Sequence, residues 1–295
     1  MIPNEFPIKK YWSTAFEGYA VPLIDKNTRI ASMGSCFAVN IGRYLLEHEY
    51  NYLVYEKLIP NNDSNGLNPY LASSAHWNLV YSSACIRQIF EYSLGEFKPE
   101  IRWWYPGRGV VQDPFRRHVT YPNNERLAKF AEHVEQSRRA LVDCDVLILT
   151  LGMSEVWRDC TDQSTYWKKP PKIHKLHEFY RQTVDDVWSD LAVCHKLIKK
   201  ENSKVKIIIT VSPVPFNLSY RKDVDVISAN MVSKSVLRVA VDEFTELKDV
   251  YYFPAYEMTM FNESDQDPFV DDGRHIKPSV VQNIMEMFER RFGHA

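Results

Sequence analysis

The chain has 295 residues, 45% of them hydrophobic and 25% charged, which is enough to bury a substantial core. A formal net charge of −2 at pH 7 excludes a general electrostatic pull toward nucleic acid or an anionic membrane surface. No stretch approaches the roughly 18 consecutive apolar residues of a spanning helix, and the N-terminus lacks the apolar core of a signal segment, so a cytoplasmic protein with no membrane span is expected.

In chain order, RIASMG at 29–34 reads as a buried strand and is followed by an amphipathic helix at about 36–48. YNYLVYE at 50–56 is a candidate second strand. After it, NNDSNGLNPY at 61–70 and IRWWYPGRGVVQDPFRRHVTYPNN at 101–124 are rich in turn residues, aromatics and arginines. They predict an elaboration at about 57–123 beside a ligand crevice rather than core sheet, with a helix at about 83–94. A helix at about 124–142 leads into the strand DVLILTLG at 145–152. Leu176, Phe179, Tyr180, Val184, Val187, Trp188, Leu191, Cys194 and Ile198 then recur at three-to-four spacing and predict a helix over 173–200. KVKIIITVSP at 204–213 and DVYYFPAY at 249–256 are further strands, with helices at about 229–246 and, started by Pro278, 278–291. Strands alternating with helices mean a doubly wound α/β sheet. We expect one domain over 1–295, with a long insertion after the second strand.

Ligands of an open α/β sheet bind beyond the carboxyl ends of its strands. At those ends lie Gly34-Ser35-Cys36, Gly152-Met153-Ser154-Glu155, SPVP at 212–215 and, after the last strand, DDGRH at 271–275. These motifs carry a resemblance. GSCFA at 34–38 resembles the signature of the GSCFA family, and TLGMSEVW, SPVPF and DGRH follow in that family's order. The family is similar to the SGNH/GDSL hydrolases, and the resemblance covers about 29–290. It implies a flavodoxin-like, three-layer α/β/α fold with a mostly parallel sheet, and acyl-transfer chemistry.

Laid on the Gly-Asp-Ser block of SGNH enzymes, Gly34-Ser35-Cys36 puts Cys36 in the attacking position and Ser35 in the place of the aspartate. Chemistry favours the cysteine, because a thiol at a helix N-terminus near a histidine ionises more readily. Ser35 is the nucleophile if the register is shifted. Asp272 and His275 match the Asp-x-x-His block, the carboxylate fixing the tautomer of an imidazole that acts as general base and acid. Asp271 is the fallback carboxylate, and a solvated acidic turn is the plain reading of the motif. The resemblance implies an oxyanion hole formed by the Cys36 N–H and by Ser154, which stands where SGNH proteins have an asparagine. Ser82 or Ser83, at a helix start, would add a donor or simply cap the helix.

Trp104, Arg108, Arg116 and Arg117 have the chemistry to stack on a ring and clamp a phosphate or carboxylate, as in an acyl-CoA donor or an anionic glycan, or else they roof the insertion. His174 and His177 have no companions to complete a metal shell and read as helix-start surface residues. KKPPK at 168–172 is a short basic turn. The five cysteines, with no CxxC pair, argue against a disulfide framework or structural zinc. All but Cys36 read as buried or incidental thiols.

The expected function is acyl transfer through an acyl-enzyme, as an O-acyltransferase or acyl esterase acting on a carbohydrate or other small acylated substrate. A catalytically silent binding module and a thiol-dependent peptidase or thioesterase are the other readings. Nothing points to a bound cofactor, a metal or a nucleic-acid partner, and the oligomeric state is left open.

Overall fold

Strands that are apolar at nearly every position need a sheet covered on both faces, and the fold supplies one. The computed structural model describes residues 19–56, 73–95, 97–171, 175–262 and 267–294. Strand β1 (Ile30–Gly34) runs into helix α1 (Cys36–Glu47), and α2 (Ser83–Ser93) follows. Three short strands, β2 (Trp104–Gly107), β3 (Val110–Gln112) and β4 (Thr120–Pro122), precede α3 (Arg126–Asp143) and β5 (Val146–Leu151). Then come β6 (Glu155–Asp159), β7 (Thr165–Tyr166), β8 (His177–Arg181), α4 (Val184–Glu201) and β9 (Lys206–Val211). The chain closes with α5 (Val226–Phe244), β10 (Val250–Tyr252), α6 (Ala255–Met260) and α7 (Pro278–Phe292).

The central sheet is parallel, in the order β1-β5-β9-β10. Alternate residues feed two cores, as the two-residue period of a strand requires. Ala31, Met33, Leu147, Leu149, Ile207 and Ile209 pack under α2, α3, α4 and α5. Ile30, Val146, Ile148 and Ile208 pack under α1, α6 and α7. The result is the expected three-layer α/β/α arrangement. No helix among the described residues is long and apolar enough to cross a membrane.

Three expectations change. The strand expected at 50–56 shrinks to a parallel bridge of Tyr52 with Ile30. Its continuation along β1 is blocked because Ser74 donates to the Ser32 carbonyl (3.2 Å) and Val80 to that of Gly34 (2.8 Å), which takes up that edge. With the bridge counted, the order is that of a flavodoxin-like sheet.

The helix expected over 173–200 begins only at Val184, where Thr183 and Asp186 form a reciprocal capping box. Residues 177–181 pair antiparallel with β6 as β8, so Phe179 and Tyr180 belong to a strand and Leu176 to the turn that enters it. His177 lies on β8, and His174 is outside the described residues.

Of the elaboration expected at about 57–123, residues 57–72, with NNDSNGLNPY, are outside the described residues. The later part folds as α2 and a small antiparallel sheet, β2-β3-β4. A second antiparallel sheet, β7-β6-β8, rises from the carboxyl end of β5 and was not anticipated.

Candidate active site

The turn between β1 and α1 is a point of close chain approach. A Cβ on Gly34 would sit 2.4 Å from the Thr150 carbonyl oxygen, and one on Gly152 would sit 2.9 Å from the Ser35 Cβ. Only glycine fits at either place, and the Ser35 N–H reaches the Thr150 oxygen at 3.0 Å. Ser35 is consequently packed in, 1% exposed, with its hydroxyl buried and without a hydrogen-bond partner. It caps α1 by backbone position but makes no side-chain cap bond. Cys36 is the first residue of α1, half-buried, with a backbone N–H that no intrahelical carbonyl accepts.

Cys36 stands where two cavities meet. The larger, about 830 Å³, is bordered by Cys36, Tyr81, Arg117, Asp272, Arg274 and His275 among others. The smaller, about 320 Å³, also touches Cys36, Tyr81, Arg117 and Arg274 and has walls of Trp157, Trp167, Phe179 and Tyr220. Ser35 borders only the smaller one, where His275 is absent.

The Asp272 turn is self-organised. One carboxylate oxygen accepts the backbone N–H groups of Arg274 (2.8 Å) and His275 (2.9 Å), and the other bonds to the His275 Nδ1. The hydrogen bonds from His275 and Arg274 hold the Asp272 carboxyl down to about 2. With Nδ1 engaged, Nε2 is the free nitrogen of the ring. Asp271 is exposed and makes no bond to the ring. No hydrogen bond joins His275 to Cys36; both border the larger cavity.

The electrostatics of Cys36 correct one expectation. Burial pushes its thiol above the ordinary range, while Lys234, Arg274, its own backbone N–H and Arg117 pull it back. The helix terminus and nearby cations temper the burial cost without overcoming it.

Lys234, on α5, was not anticipated. It is 1% exposed, and its ammonium donates to the carbonyls of Gly152 (2.7 Å), Ser212 (2.7 Å) and Val214 (3.0 Å). Three acceptors match the three N–H donors of the charged form, so the lysine ties the loop after β5 to the loop after β9. Burial opposes this and brings its pKa down to about 7, and Cys36 acts in the opposite sense. The available signal was a lysine lying three and seven residues before Leu237 and Val241, on the stripe that α5 buries.

Several expected site residues lie elsewhere. Ser154 is buried and turned to Ser233, its N–H at 2.8 Å and its hydroxyl at 3.1 Å from that oxygen, so it lines neither cavity and is no oxyanion donor in this geometry. The Ser82 hydroxyl caps α2 by accepting the Cys85 N–H, and Ser83 donates to Asp190 at 2.8 Å; the capping reading describes them.

Arg116 is 1% exposed and held by Asp113 (2.9 Å), Glu56 (3.4 Å) and the His76 carbonyl (2.9 Å). Trp104 packs with Phe115 and Tyr166. Arg108 sits at φ 58° in the turn between β2 and β3. Of the four candidate substrate-binding residues only Arg117 reaches the cleft, joined there by Arg274 of the DDGRH turn and by Tyr81, to neither of which the sequence motifs assign a role.

Cys144 and Cys194 are buried, Cys85 half-buried and Cys160 exposed, all as free thiols. Among the described residues no group of three or more His, Cys, Asp or Glu side chains is placed to hold a metal ion.

The family model described as the GSCFA family fits residues 29–288. No curated protein matches the sequence. Solved structures that are similar include a carbohydrate esterase family 3 protein from Talaromyces cellulolyticus (9% identity, TM-score 0.43, covering 88% of this chain and 94% of that one). A mutant acetyl esterase with acetate ion is another (9% identity, TM-score 0.42, 88% and 93% covered). Likeness at this level says nothing about the activity of the present chain.

Proposed function

The chain belongs to the GSCFA family, and on that premise we propose that it is an acyl-transfer enzyme forming an acyl-enzyme on Cys36. It acts as an acyl esterase or O-acyltransferase on a carbohydrate or other small acylated substrate. The observation that carries this reading is that Cys36 and a His275 oriented by Asp272 border one cleft, whereas the buried Ser35 borders only the smaller cavity, which His275 does not line.

In the first half-reaction the Cys36 Sγ attacks the acyl carbonyl and its proton passes to the His275 Nε2. The developing oxyanion meets the Cys36 N–H at the positive end of α1. Collapse breaks the bond to the leaving alcohol or thiol, which takes the proton from His275 and leaves a thioester. In the second half-reaction water or an acceptor hydroxyl attacks the thioester and gives its proton to His275. Sulfur departs as the thiolate and is reprotonated, releasing a carboxylic acid or a new ester. An acyl-CoA would serve as donor in the transferase form.

The test is intact-mass spectrometry after incubation with p-nitrophenyl acetate. We expect an acetyl increment on the wild type and on Ser35→Ala, and none on Cys36→Ala. An increment that survives Cys36→Ala and vanishes in Ser35→Ala moves the nucleophile to the serine. No increment at any pH favours a silent binding module.

A further inference from the structure

We propose that the cleft takes an acyl substrate that also carries an oxyanion, a carboxylate or a phosphate, held between Arg117 and Arg274 beside Cys36. The inference rests on the acyl-transfer reading for its meaning but not for its test.

Four arginines of the fold, Arg29, Arg102, Arg116 and Arg238, are each held by a carboxylate, while others, such as Arg126 and Arg291, donate to neutral groups well outside the cleft. Neither of the two at the junction of the cavities is held by a carboxylate. Arg117 donates from Nε to the His118 ring at 2.9 Å and from Nη1 to the Tyr81 hydroxyl at 3.0 Å. Arg274 donates from Nε and Nη2 to the Pro215 carbonyl, both at 3.3 Å. None of these partners is a carboxylate, and among the described residues neither guanidinium forms an ion pair. A guanidinium has five N–H donors, so Arg117 keeps Nη2 and Arg274 keeps Nη1 for an acceptor in the cavity space that both residues border.

Among the described residues the carboxylates that border the two cavities, Asp272, Glu155 and Glu47, form no ion pair with either arginine. Asp272 is committed to His275, and Glu155 accepts from Ser219 at 2.7 Å. Glu47, at the other end of α1, is 11 residues and so about 16 Å along the helix from Cys36. Lys234, behind the cavity wall, has only carbonyl acceptors and offers no negative charge to the two arginines. Planar guanidinium edges favour the oxygens of a carboxylate or phosphate. The aromatic walls of the smaller cavity, Trp157, Trp167, Phe179 and Tyr220, offer ring faces on which the body of such a substrate stacks.

The test compares two alkylating agents that deliver the same methylene with the same leaving group and differ in charge. Iodoacetate is anionic and iodoacetamide neutral. Modification of Cys36 is followed by peptide mass in a Cys160→Ser background, since Cys160 is exposed. We expect the iodoacetate-to-iodoacetamide rate ratio at Cys36 to exceed that of glutathione by about tenfold, the scale at which a charged cleft concentrates counter-ions. Arg117→Gln and Arg274→Gln should each lower the ratio, and the double variant should bring it to the glutathione value. Millimolar inorganic phosphate or D-glucuronate should slow iodoacetate and spare iodoacetamide, and the better protector tells phosphate from carboxylate.

A wild-type ratio at or below that of glutathione overturns the proposal. So do variants that slow both reagents equally, because the arginines would then serve only the thiolate. The wild-type ratio and the protection arms decide the matter even if a variant fails to fold. No arm uses an acyl ester, so this proposal and the acyl-transfer reading fail separately.

Discussion

At the junction of the two cavities Cys36 holds a thiol whose proton is contested between burial, which keeps it on, and three cations, which favour its loss. Lys234 is the buried member of that set, without a carboxylate of its own. Replacing it with methionine keeps much of the stem and removes the charge. The sign follows from Coulomb attraction: without the cation the thiolate is less favoured, so the Cys36 pKa rises further above its ordinary range. Iodoacetamide alkylation of Lys234→Met should show its pH midpoint displaced upward by about one unit, and so run about tenfold slower near neutrality. An unmoved midpoint would assign Lys234 to holding the loops alone. In Asp272 and His275, by contrast, the motif and the geometry agree, because residues three apart on one tight turn meet without help from the rest of the fold.

Among elements, the unit that matters most is the β1–α1 turn and its contact with the end of β5. The approach of Gly34 to Thr150 and of Gly152 to Ser35 sets the height at which α1 begins, and with it the place of the thiol. Gly34→Ala would drive a methyl group into the Thr150 backbone, with a cost of about 3 kcal/mol expected from forced overpacking. Chemical denaturation read by circular dichroism would measure it. Acyl-enzyme formation should fall in the fraction that remains folded, since the strands must part for the methyl to fit.

Elements also show where periodicity misleads. Leu176, Phe179 and Tyr180 have helical spacing, yet they precede a capping box at Thr183; Phe179 and Tyr180 pair with β6, and Leu176 lies in the turn before that strand. Cross-strand hydrogen bonds outweighed a local pattern, and the cap was the better marker of the boundary.

Across the whole molecule, two cores share one sheet, and the later part of the insertion is anchored to them by charge rather than by apolar packing alone. Arg116 and Asp113 are almost fully buried, and with Glu56 and the His76 carbonyl they join three separate stretches of chain. His133, on α3, closes the network through Glu56 at 2.7 Å. Removing the arginine strands a buried carboxylate, so Arg116→Met should destabilise the protein by about 3–5 kcal/mol. A lowered thermal midpoint would report it, and unchanged stability would mean that water reaches Asp113 once the arginine is gone.

The sequence by itself determined the parallel sheet, its two covered faces, the helices over it and the strand-end turns that carry Gly34-Ser35-Cys36 and Asp272-x-x-His275. Those features follow from periodicity and from contacts between near neighbours, which a linear reading can see. Only the tertiary structure decided that Ser154, Trp104 and Arg116 are packed into the protein, that Arg274 and Tyr81 join Arg117 in the cleft, and that Lys234 lies caged between two loops. Each of those outcomes depends on which distant residue supplies a partner, and burial and charge pairing are properties of the assembled chain rather than of any one segment.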